Sequence, residues 1–318
     1  MTQSTPTFIH IGIHKTGSST LQQKFRTHPS MYYVERADVR NAFIGHLLDF
    51  NEAPFQAETE RATEQGKALV MSHERLTGYP ASGGFDREII AARLAKAFPD
   101  AKILVLFREQ SRWIKSFYQQ YVADGGGLTL KEFLTNPQPQ IYKLPAFELD
   151  YLNYHKLVSL YHNNFGAENV LALPYELMVQ DFDSFTTRLN AFFGFDLQLE
   201  NEVTNRSRPL MPLLFMRFVN GTIGNTQLSP GGFVPLGYLK LATKLLGKIP
   251  GARSMDKRIS TRFDRLIEEK IEGYYDESNG DLEALIGMDL KPFGYFPDTI
   301  EAQMQKDSSP MLGETSII

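Results

Sequence analysis

Five consecutive apolar residues, Ile103-Leu104-Val105-Leu106-Phe107, run straight into a cation, Arg108. Pro99-Asp100 precedes this run and a helical pattern follows it. Such a stretch reads as a β-strand covered on both faces, the kind found in parallel sheets. Parallel strands need crossover helices between them, and the chain supplies these in order. Phe8 to Ile13 reads as a first strand and Ser18 to about His28 as a helix. After a break at Gly66, Ala68 to Ser72 reads as a second strand. Ile89, Ile90, Leu94, Ala97 and Phe98 then recur at helical spacing over 86–98. A helix from about Gln110 to Val122 ends at Gly125-Gly126-Gly127. Tyr151 to Phe165 reads as a long helix feeding a fourth strand, Asn169 to Leu173. Asp183 to Phe193 is a further helix closed by Gly194. The alternation predicts an α/β fold in three layers, a central, mainly parallel sheet flanked by helices.

Residues 1–302 are expected to form one domain. Within it 221–256 is rich in Gly and Pro and is expected to be a surface insertion or mobile lid. A charged helix is expected from Lys257 to about Tyr275, and 303–318 reads as a disordered tail.

Composition removes several classes of function. The chain has no cysteine, which excludes disulfide scaffolds, thiolate nucleophiles and cysteine-bound metal. Its 33 cationic and 37 anionic side chains leave a net charge of −4, against a role in coating nucleic acid or an anionic membrane. No apolar run approaches the roughly eighteen residues of a transmembrane span. The start, Met1-Thr2-Gln3-Ser4-Thr5-Pro6, has no basic cluster and no apolar core, so a cytoplasmic location is expected.

Between the first strand and first helix lies Gly12-Ile13-His14-Lys15-Thr16-Gly17-Ser18-Ser19. Glycine, four residues, glycine and then hydroxyl residues is the frame of a phosphate-binding loop, which makes the expected fold P-loop-like. Backbone N–H groups at such a helix start point outward together, and the helix dipole adds positive charge. The lysine is displaced. Nucleoside-triphosphate loops carry Lys directly after the second glycine, where this chain has Ser18 and places Lys15 three residues earlier. The later apolar strand also ends in Arg108, where a nucleotide hydrolase often keeps a magnesium-holding aspartate. Both changes point to a site that takes an anion and supplies its own positive charge. Ser18, Ser19 and Thr20 are poor interior helix residues but good anion donors at a helix start. Arg108 stands where open α/β sheets present their ligand crevice, and Ser116 follows eight residues later in the next helix. An arginine fork and a hydroxyl together suit a second phosphate.

His14-Lys15-Thr16-Gly17-Ser18-Ser19-Thr20, followed by Arg108 and Ser116, resembles the sulfotransferases that use 3′-phosphoadenosine 5′-phosphosulfate (PAPS), most closely bacterial members. The resemblance extends to Phe165-Gly166-Ala167-Glu168-Asn169-Val170, Leu173-Pro174-Tyr175-Glu176, Phe192-Phe193-Gly194 and the segment from Tyr274 to Tyr295. It is weakest over 30–65 and 221–256. It implies that the first loop grips the 5′-phosphosulfate and that Arg108 and Ser116 grip the 3′-phosphate. It further implies that Lys15 neutralises charge on the leaving oxygen, and that a later loop covers the nucleotide, for which Arg206 in Asn205-Arg206-Ser207-Arg208 is the candidate. The glycine-rich form of that loop, seen in many cytosolic animal members, is missing here.

An acceptor hydroxyl also needs a base. Met71-Ser72-His73-Glu74-Arg75 closes the second strand. Some carbohydrate sulfotransferases carry a catalytic glutamate after the equivalent strand, which favours Glu74, whereas His73 titrates near neutral pH on its own. Both are candidates. His28, His46, His155 and His162 show no paired ligand spacing, so no metal is expected.

The expected reaction is sulfuryl transfer from PAPS to a hydroxyl on a small-molecule, carbohydrate or lipid-linked acceptor, with adenosine 3′,5′-bisphosphate (PAP) released. A P-loop kinase-like phosphotransferase and a non-catalytic nucleotide-binding module are the alternatives. Lys240, Lys244 and Lys248 share one face of an amphipathic pattern at 235–248, expected either as a plain surface helix or as a mobile lid toward an anionic or lipid-linked acceptor.

Overall fold

The structure, a computed structural model, describes residues 5–45, 50–135, 147–200, 209–223 and 252–296. Its centre is a five-stranded sheet built from β1 (Thr7–His10), β2 (Met31–Tyr33), β3 (Ala68–Ser72), β4 (Lys102–Phe107) and β5 (Val170–Pro174). The spatial order is β2-β3-β1-β4-β5, and every pairing is parallel. Ile9 of β1 pairs with Met71 on one side and Ile103 on the other.

Successive strand residues face opposite sides of a sheet. All five residues of β3 and the last five of β4 are nevertheless buried, so both faces are covered. The helices between the strands are α1 (Ser18–Thr27), α2 (Arg36–Val39), α3 (Ala53–Glu64), α4 (Arg87–Ala97), α5 (Gln110–Ala123), α6 (Leu130–Thr135) and α7 (Tyr154–Phe165), of which α1, α2, α3 and α7 pack on the sheet. After β5 follow α8 (Tyr175–Gln180), α9 (Phe182–Phe193), α10 (Leu210–Ile223), α11 (Ala252–Ile271) and α12 (Asp276–Ile286). α1 packs on β2 and β3, while α7 packs on β4 and β5. α5 is wrapped by α10 and α11.

The expected strands and helices are present, with informative differences at their ends. β1 stops at His10 because the chain turns into the loop, yet Ile11 and Ile13 still donate to the Leu104 and Leu106 carbonyls at 2.9 Å. The helix expected from Tyr151 begins at Tyr154, because Asn153 caps it through its side chain and Leu149–Leu152 winds as a tighter 3₁₀ turn. The charged helix starts at Ala252, inside the stretch read as insertion, and ends at Ile271. α10 also enters that stretch, to Ile223. Gly194 closes α9 in the left-handed conformation, φ 75°, as expected. β2 was not anticipated: three residues, Met-Tyr-Tyr, give too short a run to carry a strand pattern. The amphipathic pattern at 235–248 and the tail at 303–318 lie outside the described residues.

Candidate active site

The carboxyl ends of β1, β3 and β4 open onto one cleft of about 1730 Å³. Parallel sheets collect ligands at this edge, where neighbouring crossovers diverge. His14, Lys15, Gly17, Ser18 and Ser19 line it from the loop after β1, and Glu74 from the turn after β3. Arg108 and Ser116 line it from β4 and α5, together with Arg112 and Lys115. Seven of these residues were expected from the sequence as one constellation over the loop, Arg108 and Ser116, and they share one lining with Glu74.

The loop is wound tightly. Lys15 and Gly17 both take positive φ, 70° and 74°, and Gly17 caps α1 from the left-handed region. A Cβ on Gly17 would stand 2.8 Å from the Tyr175 ring and 2.9 Å from the Met178 methyl, so glycine is required there by conformation and by space. Three successive loop carbonyls are each held by a donor. The Thr16 hydroxyl donates to Ile13 O at 2.6 Å, the Trp113 indole to His14 O at 2.6 Å, and Arg108 Nη1 to Lys15 O at 3.0 Å. With its carbonyls engaged, the loop offers its N–H groups to an incoming ligand. Thr16 is buried and does not line the cleft, and Thr20 lies beyond the lining residues, donating its N–H to Gly17 O. Arg206 lies outside the described residues.

Several buried polar atoms around the loop have no hydrogen-bond partner among the described residues: Ser18 Oγ, His14 Nδ1 and Arg108 Nε. Buried polar atoms are normally satisfied, and here hydroxyl, imidazole and guanidinium groups surround an anion-type loop. The set fits a phosphoryl or sulfuryl ligand. The Arg108 guanidinium also lies over the Tyr175 ring, 5.2 Å from its centroid, and the Tyr154 hydroxyl donates to Arg108 O at 2.6 Å. Lys15 Nζ lies 3.5 Å from Gln120 Oε1 on α5.

Glu74 and His73 have different fates. Glu74 faces the cleft and is ion-paired with Arg36 of α2. Burial alone would raise its pKa, but its backbone N–H and the positive charges that surround it in acid, on His73, Arg36 and His14, bring it below the usual glutamate range. Glu74 is therefore a carboxylate at neutral pH. His73 is buried, does not line the cleft, and accepts the Arg75 N–H at Nδ1 (3.1 Å) as the cap of the 3₁₀ turn Glu74–Thr77. Burial lowers its pKa to about 4, and lowers His14 to about 4 as well. Arg75, the sequence neighbour of Glu74, is engaged elsewhere, with Asp86 at 3.2 Å. Arg36 was not anticipated; it stands 38 residues before Glu74 and only the β2–α2 path brings it there.

The looser C-terminal motifs meet behind Arg108. Glu176 is buried, and burial pushes its pKa up against the Arg108 charge. It accepts the Glu109 N–H at 3.3 Å and the Tyr295 hydroxyl at 3.1 Å. Gln110 donates to Asn279, which donates in turn to Tyr295 O.

A family model described as "Sulfotransferase family" matches residues 90–198, a span that contains Arg108 and Ser116. Among solved structures, a sulfotransferase from Alicyclobacillus acidocaldarius is 19% identical at a TM-score of 0.56, covering 91% of this chain and 98% of that one. The mouse sulfotransferase SULT7A1 complexed with PAP is 14% identical at a TM-score of 0.38, covering 87% of this chain and 88% of that one. No curated protein sequence matches the chain. Residues 90–198 are thus similar to the sulfotransferase family, and the chain as a whole shares its fold with the Alicyclobacillus sulfotransferase.

Proposed function

We propose that the chain transfers a sulfuryl group from PAPS to the hydroxyl of a small-molecule, carbohydrate or lipid-linked acceptor, releasing PAP. The observation that carries this reading is the shared cleft: Lys15 and Ser18, Arg108 and Ser116, and the carboxylate of Glu74 line one cavity. Two separate anion-binding groups beside a base match a donor with two phosphate positions and an acceptor that must lose a proton.

Sulfuryl transfer passes through a loose, in-line transition state, so positioning and charge compensation do most of the work, as in phosphoryl transfer. The loop N–H groups and the Ser18 and Ser19 hydroxyls hold the 5′-phosphosulfate. Lys15 meets the charge that grows on the leaving oxygen. Arg108 acts twice, holding the Lys15 carbonyl and offering its fork to the 3′-phosphate. Glu74 takes the acceptor proton. Its pairing with Arg36 makes it a weak base, which suits a reaction whose acceptor hydroxyl becomes acidic only as the new bond forms. The capping bond of His73 supports Glu74 over His73 in that role.

Transfer of ³⁵S from labelled PAPS to fractionated metabolites of the source cell tests the proposal. A labelled acceptor fraction is expected, unchanged by EDTA. Magnesium-dependent turnover of ATP with no response to PAPS would replace it with the kinase reading.

A further inference from the structure

His10, the last residue of β1, is 1% exposed and was not among the residues expected at the site. It pairs across the sheet with Ser72, the last residue of β3, and its Nδ1 lies 2.8 Å from Ser72 Oγ. Its other nitrogen, Nε2, is buried without a partner among the described residues, as is Ser18 Oγ at the start of α1. Gly12 separates the two. A Cβ there would stand 2.4 Å from His10 Nε2 and 2.9 Å from Ser18 Oγ, so only glycine leaves these atoms facing one gap beneath the loop.

A neutral imidazole has one donor and one acceptor nitrogen, and a serine hydroxyl has one proton. If Ser18 gives that proton to a bound oxyanion, its oxygen is left needing a donor. We propose that His10 is a positioning residue of the anion loop: Ser72 donates to Nδ1, and when an anion draws the Ser18 proton, Nε2–H closes across the gap at Gly12 to donate to Ser18 Oγ, holding that proton toward the ligand. Burial holds the ring neutral, with a pKa near 4, and so keeps one nitrogen of each kind. Such a chain polarises each bond along it. The inference rests on the sulfonucleotide reading only for the identity of the ligand, because any diphosphate-like anion on the loop would engage the same chain.

Calorimetry with inorganic pyrophosphate and with PAP, on wild type, His10→Phe, Ser18→Ala and the double variant, tests it. Each single variant is expected to weaken pyrophosphate by about two- to tenfold. The double variant is expected to bind no more weakly than Ser18→Ala, since both changes remove one link. Effects that multiply would overturn the proposal. Long-range ¹H–¹⁵N spectra of histidine-labelled wild type give a second reading free of folding effects. The Nε2–H tautomer, shifted by pyrophosphate, is expected, and an Nδ1–H tautomer in the loaded protein would sink the idea. Binding of pyrophosphate without PAP would remove the sulfonucleotide reading and leave this one standing. PAP binding with multiplying effects would do the reverse, and a wild type that binds neither removes both.

Discussion

Gly17→Ala separates two costs that a single glycine carries. Gly17 sits at φ 74°, where a Cβ meets its own backbone, and the same Cβ would stand 2.8 Å from the Tyr175 ring and 2.9 Å from the Met178 methyl. Gly194 provides the control: it caps α9 at φ 75° and nothing lies within 4 Å of its Cβ position. Left-handed backbone costs a non-glycine residue about 1–2 kcal/mol. Part of that is offset, because alanine also restricts the unfolded chain by about 0.4–1 kcal/mol. Gly194→Ala should therefore destabilise by about 1 kcal/mol. Gly17→Ala carries the same term plus crowding, about 1–3 kcal/mol for an extra methyl in a packed place. Its total is about 2–4 kcal/mol. Urea unfolding followed by circular dichroism measures both, and PAP affinity by calorimetry is read alongside. Gly194→Ala should leave PAP binding alone, whereas Gly17→Ala should weaken it, since Tyr175 carries the Arg108 guanidinium over its ring. Equal destabilisation by the two changes would refute the close approach at Tyr175, and a Gly17→Ala protein with wild-type PAP affinity would refute the link to Arg108.

Lys15→Ala should lower turnover by about two to three orders of magnitude in the ³⁵S transfer assay, the range for removing one preorganised donor at a developing charge. Glu74→Gln should lower it by about 10²–10⁴ with PAP affinity nearly intact; retained activity there with loss in His73→Ala would move the base to His73. Because Glu74 sits below the ordinary glutamate range, activity should hold as pH falls through that range, and Arg36→Met should move the acidic limb of the pH–rate profile upward. Removing the 3′-phosphate from PAP should cost wild type much more affinity than Arg108→Ala, about 1.5–3 kcal/mol for a charge-assisted pair; equal discrimination by calorimetry would take Arg108 out of that role. Stability to urea should fall as pH drops from about 6.5 to 4, since His10, His14 and His73 stay neutral when folded but charge when unfolded; a flat profile across that window would contradict their burial.

What could be read in advance, and what could not, divides along sequence distance. β3, β4 and β5 declare themselves through unbroken apolar runs, and the loop through a glycine spacing that only a tight strand-to-helix turn needs. Arg108 and Ser116 are legible because one strand end and one helix turn fix their separation. The partner of Glu74 is not, because Arg36 lies in the stretch where recognisable motifs are weakest, and its approach depends on a three-residue strand. His10 was hidden for a different reason. It occupies a strand position that any apolar residue could fill, and its polarity matters only once β3 brings Ser72 alongside. The carbonyl locks from Trp113 and Arg108 are likewise contacts across crossovers, for which local pattern holds no trace.

The chain contains one tryptophan, and its indole N–H rests on the His14 carbonyl while its ring stacks on Phe117 with centroids 4.6 Å apart. Indole emission responds to the hydrogen bond and the local field at its ring. Excited beyond the tyrosine band, the protein thus has a single native fluorophore, fastened to the main chain of the anion loop. Under the proposed function, ligand capture can be followed on unlabelled wild type, in real time, from the loop assigned to it, and a rapid-mixing trace would separate arrival of the ligand from any later settling of the loop around it.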